Sequence, residues 1–260
     1  MAVRTSPRAA GTRDGAPPQV SADLSLLDGF ELSRRGRSVP LPMGGQRVVA
    51  FLALHDRALP RGFVAGVLWP DSTEHRAAAS LRSTLWRLRN PGPPVLETTD
   101  THVWLSDRVR VDTREATAIA RRLLHEEGDI VDPGPLLRGD LLPGWYDDWV
   151  VLERERIRQL RLHALEALCY RLISAGRLPQ AIEVGLAAVE GEPLRESGHR
   201  ALIAAYLAEG NRWEAIRHYR IFCRLLEDEG EAPSPQIERL IACGPGELPG
   251  RLAGPRQILP

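Results

Sequence analysis

Apolar residues recur at helical spacing between residues 75 and 90, and this stretch predicts an amphipathic helix. The apolar stripe consists of Ala78, Leu81, Leu85 and Leu88. The opposite face is polar and carries Arg76, Ser80, Ser83, Arg87 and Asn90, with Arg82 and Trp86 at its margins. The stretch contains four Arg and no acidic residue. A cationic helix with one buried stripe suits the major groove of DNA, and a solvated surface helix is the alternative.

The pattern on either side predicts the surrounding elements. Short strands are expected at 24–32 and 37–41, joined by the turn dipeptide Arg35-Gly36. Two further helices are expected at 46–55 and 61–69, the second with Phe63 facing inward. Residues 95–98 and 103–105 predict a β-hairpin, and 109–111 one more strand. Hairpin, three helices and hairpin is the plan of a winged helix-turn-helix, whose third helix would lie in the major groove.

From Asp112 onward the pattern is continuously helical and repeats after 34 residues. The segment that begins at Gly176 returns at Gly210, and Leu172 corresponds to Tyr206. This is the period of a tetratricopeptide helix pair. Residues 153–175 predict a leading helix and 234–241 a terminal one, while 112–152 are expected to cap the stack.

These patterns predict a mainly α fold with a small β component, divided into two domains. The winged helix-turn-helix occupies 23–111 and the tetratricopeptide-like domain occupies 112–243. Residues 1–22 lack periodicity and predict a disordered tail, and 244–260 predict a loose C-terminal tail.

Composition indicates a globular protein, since 43% of the residues are hydrophobic and 26% are charged. No apolar run is long enough for a membrane span, and no hydrophobic segment follows the N-terminal arginines. We therefore expect a cytoplasmic protein without a membrane partner. The cysteines Cys169, Cys223 and Cys243 form no C-x-x-C pair, which predicts free thiols rather than a zinc site.

Charge is distributed unevenly along the chain. Residues 21–111 contain 12 Arg and 9 acidic residues, whereas 112–243 contain 17 Arg and 23 acidic residues. A basic front half and an acidic back half fit one module that meets phosphate and one that meets protein. All 34 basic residues are Arg, which excludes a Walker A loop and a Schiff-base lysine. No hydrolase, dinucleotide or metal-ligand motif is present, so we expect no enzyme activity, cofactor or metal.

Five short motifs in this order resemble the SARP-type transcriptional activators. They are Leu26-Leu27-Asp28-Gly29-Phe30, Leu68-Trp69-Pro70-Asp71, the run from Ser80 to Arg89, Val109-Arg110-Val111-Asp112, and the run from Leu141 to Val150. The resemblance covers about residues 22–242. It implies an OmpR-type winged helix joined to a bacterial transcriptional activation domain, and a function as an activator of biosynthetic or other gene clusters.

The resemblance also implies partners. Such proteins bind direct repeats near promoters, commonly as two adjacent copies, and recruit RNA polymerase. The loop before the recognition helix resembles their polymerase-contacting loop, with candidate residues Trp69, Asp71, Ser72 and Glu74; core packing is the alternative for Trp69. At the wing tip, where relatives often carry Gly with an aromatic, this chain has Asp100, which would repel phosphate.

Seven residues are candidates for DNA contact: Arg76, Ser80, Arg82, Ser83, Thr84, Arg87 and His102. Arg suits guanine edges and phosphates, and hydroxyl groups suit either. The alternative for each is an ordinary surface position. The rival function is an adaptor that does not bind DNA and uses a degenerate winged helix for protein contact. A protein-facing helix has no need of four Arg without an acid, which favours DNA binding.

Overall fold

The computed structural model describes residues 20–89, 94–125 and 132–243. Nearly all of the predicted tail 1–22, and the whole of the predicted tail 244–260, lie outside these residues. The chain divides into two compact units, of which the first contains 32–110 with the strand residues before 25, and the second contains 25–31 and the part from 111 onward. In the described part of the chain, no helix has the length and apolar character needed to cross a membrane.

The first unit consists of short strands around three helices. Its elements are β1 (Ala22–Ser25), β2 (Glu31–Arg34), β3 (Arg37–Ser38), α1 (Met43–Ala53), β4 (Leu59–Pro60), α2 (Arg61–Leu68), α3 (Glu74–Arg87), β5 (Leu96–Thr98), β6 (His102–Leu105) and β7 (Val109–Val111). One sheet has the strand order β3-β2-β1-β7 and the other β4-β6-β5. The predicted succession of hairpin, three helices and hairpin is present.

The first hairpin is closed by a two-residue turn. Arg35 and Gly36 both have positive φ, at 50° and 73°. Two successive positive φ values match the twist of the flanking strands, and glycine adopts the second without steric penalty. The turn sets the register, in which Arg34 pairs with Arg37 and Ser33 with Ser38.

The core of the first unit is built from α1, which is buried all round from Val48 to Ala53, from one face each of α2 and α3, and from β6. Its fully buried members include Val48, Leu52, Val64, Leu68, Leu81 and Val103. On α3 the buried alanine is Ala77, whereas the predicted Ala78 is only half-buried. Phe63 is 49% exposed, so the prediction that it faces inward was wrong, and Ala65 is buried instead. A helix of only eight residues buries a narrow stripe, and Phe63 lies outside it.

The second unit is helical throughout its core. Its elements are α4 (Asp112–His125), a 3-10 turn (Gly134–Leu136), α5 (Asp148–Ser174), α6 (Leu178–Gly191), α7 (Glu196–Ala208), α8 (Arg212–Asp228) and α9 (Pro235–Cys243). Side chains from α4, α5, α6 and α7 share one hydrophobic cluster, and α7, α8 and α9 share another. The predicted fold class, mainly α with a small β component, is confirmed.

The 34-residue repeat appears in the backbone as two equivalent helix ends. Gly176 ends α5 with φ 70° and Gly210 ends α7 with φ 82°. After each glycine, a main-chain N–H reaches back to the helix: Arg177 donates to Leu172 and Asn211 to Tyr206, both at 2.9 Å. This is the Schellman cap, which needs a left-handed residue and therefore favours glycine. The repeat read from the sequence is thus a repeat of helix-terminating geometry.

Small residues let the helices of this unit approach closely. A side chain at Gly185 of α6 would meet the Cα of Leu202 on α7 at 3.1 Å, so only glycine fits without a shift. Cys169 lies between these helices, where its single thiol proton is shared by the carbonyls of Ala181, at 3.2 Å from the sulfur, and Ala201, at 3.5 Å. Burial raises the pKa of Cys169 to about 12, which keeps this thiol protonated at neutral pH. Cys169 and Cys223 are free thiols.

Residues 25–31 pack with the second unit, a difference from the predicted division at 111/112. The main-chain N–H groups of Leu26 and Leu27 donate to the carboxylate of Asp112 at 2.9 and 3.1 Å. Burial raises the pKa of this carboxyl, and these hydrogen bonds act in the opposite direction. Asp28 accepts from the N–H of Gly139 at 2.9 Å. The ring of Phe30 stacks on Trp145 with centroids 6.3 Å apart. The motif Leu26–Phe30 therefore packs against the motif that begins at Leu141, more than a hundred residues further along the chain.

Candidate nucleic-acid interface

Helix α3 presents a cationic outer face. Its stripe of Ala77, Leu81 and Leu85 is buried. The fully exposed positions around the opposite side are His75, Arg76, Arg82, Ser83, Trp86 and Arg87. Among the described residues, no ion pair is formed by Arg76, Arg82 or Arg87. Their charges are therefore available to an external anion.

Trp86 lies on the outward side of this helix rather than at its margin. Its side chain is 73% exposed, more than any other large apolar residue that the structure describes in the first unit. The amphipathic pattern treated it as a boundary residue because tryptophan is usually half-buried. An exposed aromatic between cationic side chains is instead typical of a binding surface.

The three hydroxyl residues of the predicted set are placed differently from one another. Ser83 is exposed, whereas Ser80 and Thr84 are half-buried at the side of the helix. The Thr84 hydroxyl donates to the carbonyl of Ser80 at 2.9 Å, which engages its only proton within the helix. Of the three, Ser83 has the placement best suited to an external ligand.

The segment before α3 is a short loop, and exposed acids lie in this loop and at the first residue of the helix. Asp71 and Glu74 are exposed, while Trp69 and Ser72 are half-buried. Hydrogen bonds within the chain hold the loop, since the Trp69 N–H donates to Ala65 at 3.0 Å and the Ser72 N–H to Trp69 at 3.1 Å. Thr73 is the N-cap in extended conformation, and its side chain makes no capping hydrogen bond. The loop offers carboxylates at a defined position beside the helix.

The wing is the antiparallel pair β5–β6. Its register places Glu97 opposite Trp104 and Thr98 opposite Val103. At the tip, Asp100 is exposed, while His102 is held by local hydrogen bonds. The His102 ring nitrogen Nδ1 lies 2.9 Å from the Thr101 hydroxyl, and the main-chain N–H of His102 donates to the Thr99 hydroxyl at 3.0 Å. The predicted contact residue His102 is therefore partly engaged within the wing itself.

A groove of about 880 Å³ lies between α3 and the wing. Its charged lining residues are Arg61, Arg82, Arg89 and Glu97, and its aromatic ones are Trp86 and Trp104. Sequence reasoning missed Arg61, which is the first residue of α2. The main-chain N–H of Arg61 donates to the carbonyl of Thr101 at 2.9 Å. Local sequence patterns do not predict this contact, because its partners are 40 residues apart.

The part of the chain that the structure describes contains no group of three or more His, Cys, Asp or Glu side chains able to hold a metal ion. The charged surface of α3 and the groove beside it are the candidate binding features of the chain. Both belong to the first unit.

Comparison with known proteins supplies the context for this surface. A family model described as the bacterial transcriptional activator domain matches residues 110–242. The regulatory protein AfsR of Streptomyces coelicolor is 28% identical over 206 residues, which are 74% of this chain and 21% of AfsR. The chain thus spans about a fifth of that relative's length.

Among solved structures, Mycobacterium tuberculosis EmbR, in complex with a low affinity phosphopeptide, is similar with a TM-score of 0.59 and 22% identity. The alignment covers 85% of this chain and 64% of the EmbR chain. At this identity the likeness shows a shared fold.

Proposed function

We propose that this chain, which belongs to the bacterial transcriptional activator domain family, is a cytoplasmic sequence-specific DNA-binding activator. The family and the similarity to AfsR make it a SARP-type transcriptional regulator. The finer proposal is that residues 23–111 bind promoter DNA and that 112–243 hold a second copy or a protein partner. No catalysis is part of this function.

The observation that carries the proposal is the outer face of α3. Arg76, Arg82 and Arg87 are exposed and have no ion-pair partner among the described residues. Ordinary surface arginines gain little from pairing, but three unpaired ones on one helix face make a local positive field. A helix of this width and charge fits the major groove, where Arg binds guanine O6 and N7 in bidentate fashion.

The proposed mechanism separates positioning from reading. Arg contacts to phosphates set the register of the helix on the duplex without reading sequence. Side chains at the centre of the outer face, among them Arg76, Ser83 and Arg87, then contact base edges. By resemblance to the family, the operator is a pair of direct repeats, occupied by two copies. The loop with Asp71 and Glu74 then contacts RNA polymerase holoenzyme, which is recruited to the promoter.

Selection of bound fragments tests the proposal. The purified chain is mixed with sheared DNA from its own genome, and the retained fragments are sequenced. We expect one enriched motif, made of two direct repeats about one helical turn apart, upstream of a gene cluster. If the folded protein at low salt enriches no fragment over random ones, the adaptor function replaces this proposal.

A variant that lacks two positive charges of α3 shows whether fragments are retained through this helix or non-specifically. The same selection is repeated with Arg76→Gln/Arg87→Gln protein, whose substituted side chains are both exposed. The motif should disappear while the thermal unfolding temperature stays unchanged. Persistence of the motif in this variant would place sequence reading somewhere other than α3.

A further inference from the structure

The groove between α3 and the wing contains a set of cationic side chains that the recognition helix alone does not account for. We propose that it seats a stretch of the DNA sugar-phosphate backbone, with Arg61 as the anchoring cation beside Arg82 and Arg89. The inference rests on the proposed function and extends the interface to α2. It assigns to Arg61 and Arg89 a role in DNA binding that the pattern of α3 did not predict.

Arg61 is held in place by its own backbone. It follows Pro60 of β4, opens α2, and donates its N–H to the carbonyl of Thr101 at the wing tip. Its side-chain Nε is buried and has no hydrogen-bond partner in the part of the chain that is described. A buried guanidinium nitrogen without an acceptor is unfavourable, and native proteins rarely leave one. Since this atom is closed to solvent, a phosphate in the groove would meet the terminal nitrogens of the half-buried Arg61 guanidinium rather than Nε itself.

The charges around the groove favour an anion. Arg82 and Arg89 are exposed, and neither forms an ion pair with another described residue. The single acid in the lining, Glu97, already accepts a hydrogen bond from the Ser106 hydroxyl at 2.7 Å. Three Arg against one Glu leave an excess of positive charge. The planar fork of Arg suits bidentate binding of phosphate oxygens.

The size and walls of the groove favour a polymer rather than a free ion. Its volume of about 880 Å³ is many times that of one phosphate group. Trp86 and Trp104 supply flat apolar surface against which a deoxyribose can pack. A backbone strand offers both features at once, since charged phosphates alternate with apolar sugar faces.

The wing tip is a poorer seat for the same strand. Asp100 is exposed there and repels phosphate, and His102 is engaged with Thr101 and Thr99. In a winged helix the contact beyond the major groove is usually expected at the tip. Here the cationic groups lie instead beside the strands of the wing, in the groove.

Phosphate contacts do not depend on base sequence, so a 30-base-pair duplex of random sequence is a sufficient probe. Fluorescence anisotropy is measured for Arg61→Gln, Arg89→Gln and Arg87→Gln as a function of salt. Arg37→Gln is the matched control, because Arg37 is exposed in the same unit on the other sheet. We expect Arg61→Gln and Arg89→Gln each to weaken binding about 5- to 10-fold and to reduce the salt slope by about one. Glu97→Gln should strengthen binding.

The outcomes separate the inference from the function beneath it. If Arg87→Gln weakens binding while Arg61→Gln and Arg89→Gln match Arg37→Gln, the groove is not a backbone seat and the α3 interface stands. If the wild-type chain does not bind the duplex at low salt, both proposals are overturned. Should Arg61→Gln fail to fold, Arg89→Gln decides, because its exposed side chain can be replaced without disturbing the core.

Discussion

Arg87 illustrates how exposure and pairing decide what a single side chain can do. It lies in the last turn of α3, is exposed, and has no ion-pair partner among the described residues. Replacing it with alanine removes no ion pair with a described residue and leaves the buried stripe of α3 unchanged. In a complex with a duplex, the alanine variant would lack at least one charge-assisted hydrogen bond that Arg87 makes to DNA.

We therefore predict that Arg87→Ala lowers affinity for the selected operator by about 1–3 kcal/mol and leaves the unfolding midpoint unchanged. Gel-shift titration and thermal unfolding give the two readings. Arg37→Ala, an exposed arginine on the other sheet, serves as the control and should bind like wild type. Equal affinities for both variants would contradict the assignment of α3.

His199 is buried and His218 is half-buried, and the two form a pair whose tautomers follow from geometry. His199 Nε2 lies 2.8 Å from the carbonyl of Pro193, so it donates there, and its Nδ1 accepts from Nε2 of His218 at 2.9 Å. Both rings are then neutral. Burial lowers the pKa of both groups, that of His218 to about 4 with a further contribution from His199.

A histidine whose pKa falls on folding stabilises the fold above its unfolded pKa and loses that stability in acid. The second unit should therefore weaken as pH falls from about 6.5 to about 4. Full conversion at about 1.4 kcal/mol per pKa unit gives at most about 3–4 kcal/mol for His218, and partial exposure reduces this. Urea unfolding of wild type and His218→Gln at pH 7 and pH 4.5 measures the difference. His163→Gln, an exposed histidine, is the control; an equal acid loss in all three proteins would contradict the prediction.

At the residue scale, sequence pattern predicts exposure better than it predicts partners. The arginines of α3 were placed correctly on the outer face because helical periodicity determines direction. The buried alanine is Ala77 rather than the predicted Ala78, and the predicted contact residue Thr84 is half-buried, so the buried stripe is rotated slightly from its predicted position. Arg61 and the histidine pair depend on contacts between distant segments, which single-sequence periodicity does not encode.

The turn that precedes α5 shows how one element is fixed by one side chain. Arg154 donates to the carbonyls of Leu141, Leu142 and Trp145 at 2.7, 2.6 and 2.9 Å. Leu142 has φ 44°, a left-handed conformation that a leucine rarely adopts. The guanidinium fork thus compensates a strained backbone by satisfying three carbonyl groups.

Lysine keeps the charge of Arg154 but cannot reproduce the planar fork. We predict that Arg154→Lys lowers the free energy of unfolding by about 2–4 kcal/mol, because hydrogen bonds to a charged group are lost and half-buried carbonyls stay unsatisfied. Urea unfolding monitored by circular dichroism measures it. Arg156→Lys is the matched control, since exposed Arg156 forms a surface pair with Glu153 three residues before it, and it should change stability by no more than about 0.5 kcal/mol. A similar loss in both variants would argue against the fork.

Elements with strong local signals were predictable, and those that depend on pairing were less so. Gly176 and Gly210 announce helix ends because a left-handed cap favours glycine, and the 34-residue spacing follows. The packing of residues 25–31 against the region from 139 to 142 was not predictable, since it joins segments more than a hundred residues apart. The two motifs were noticed separately, as parts of a resemblance, and only the structure joins them.

At the scale of the whole molecule, the proposed binding to direct repeats has a geometric consequence. Two copies on direct repeats point the same way along the duplex, so any contact between them joins two different surfaces. Such a contact forms only if both copies lie on the same face of the DNA. The acidic second half of the chain offers surface for it, since that half contains 17 Arg against 23 acidic residues between 112 and 243.

The spacing between repeats should therefore control cooperativity. We predict that the selected operator binds two copies with a Hill coefficient above one, and that inserting about 5 base pairs between the repeats abolishes this cooperativity. Half a helical turn places the copies on opposite faces, whereas an insertion of about 10 base pairs restores the face and much of the cooperativity. Gel shifts resolve the singly and doubly bound species, and a duplex with one repeat gives the affinity of an isolated copy. Equal cooperativity at all three spacings would mean that the copies bind without contact, and the acidic helical half would then be sought in complex with another protein.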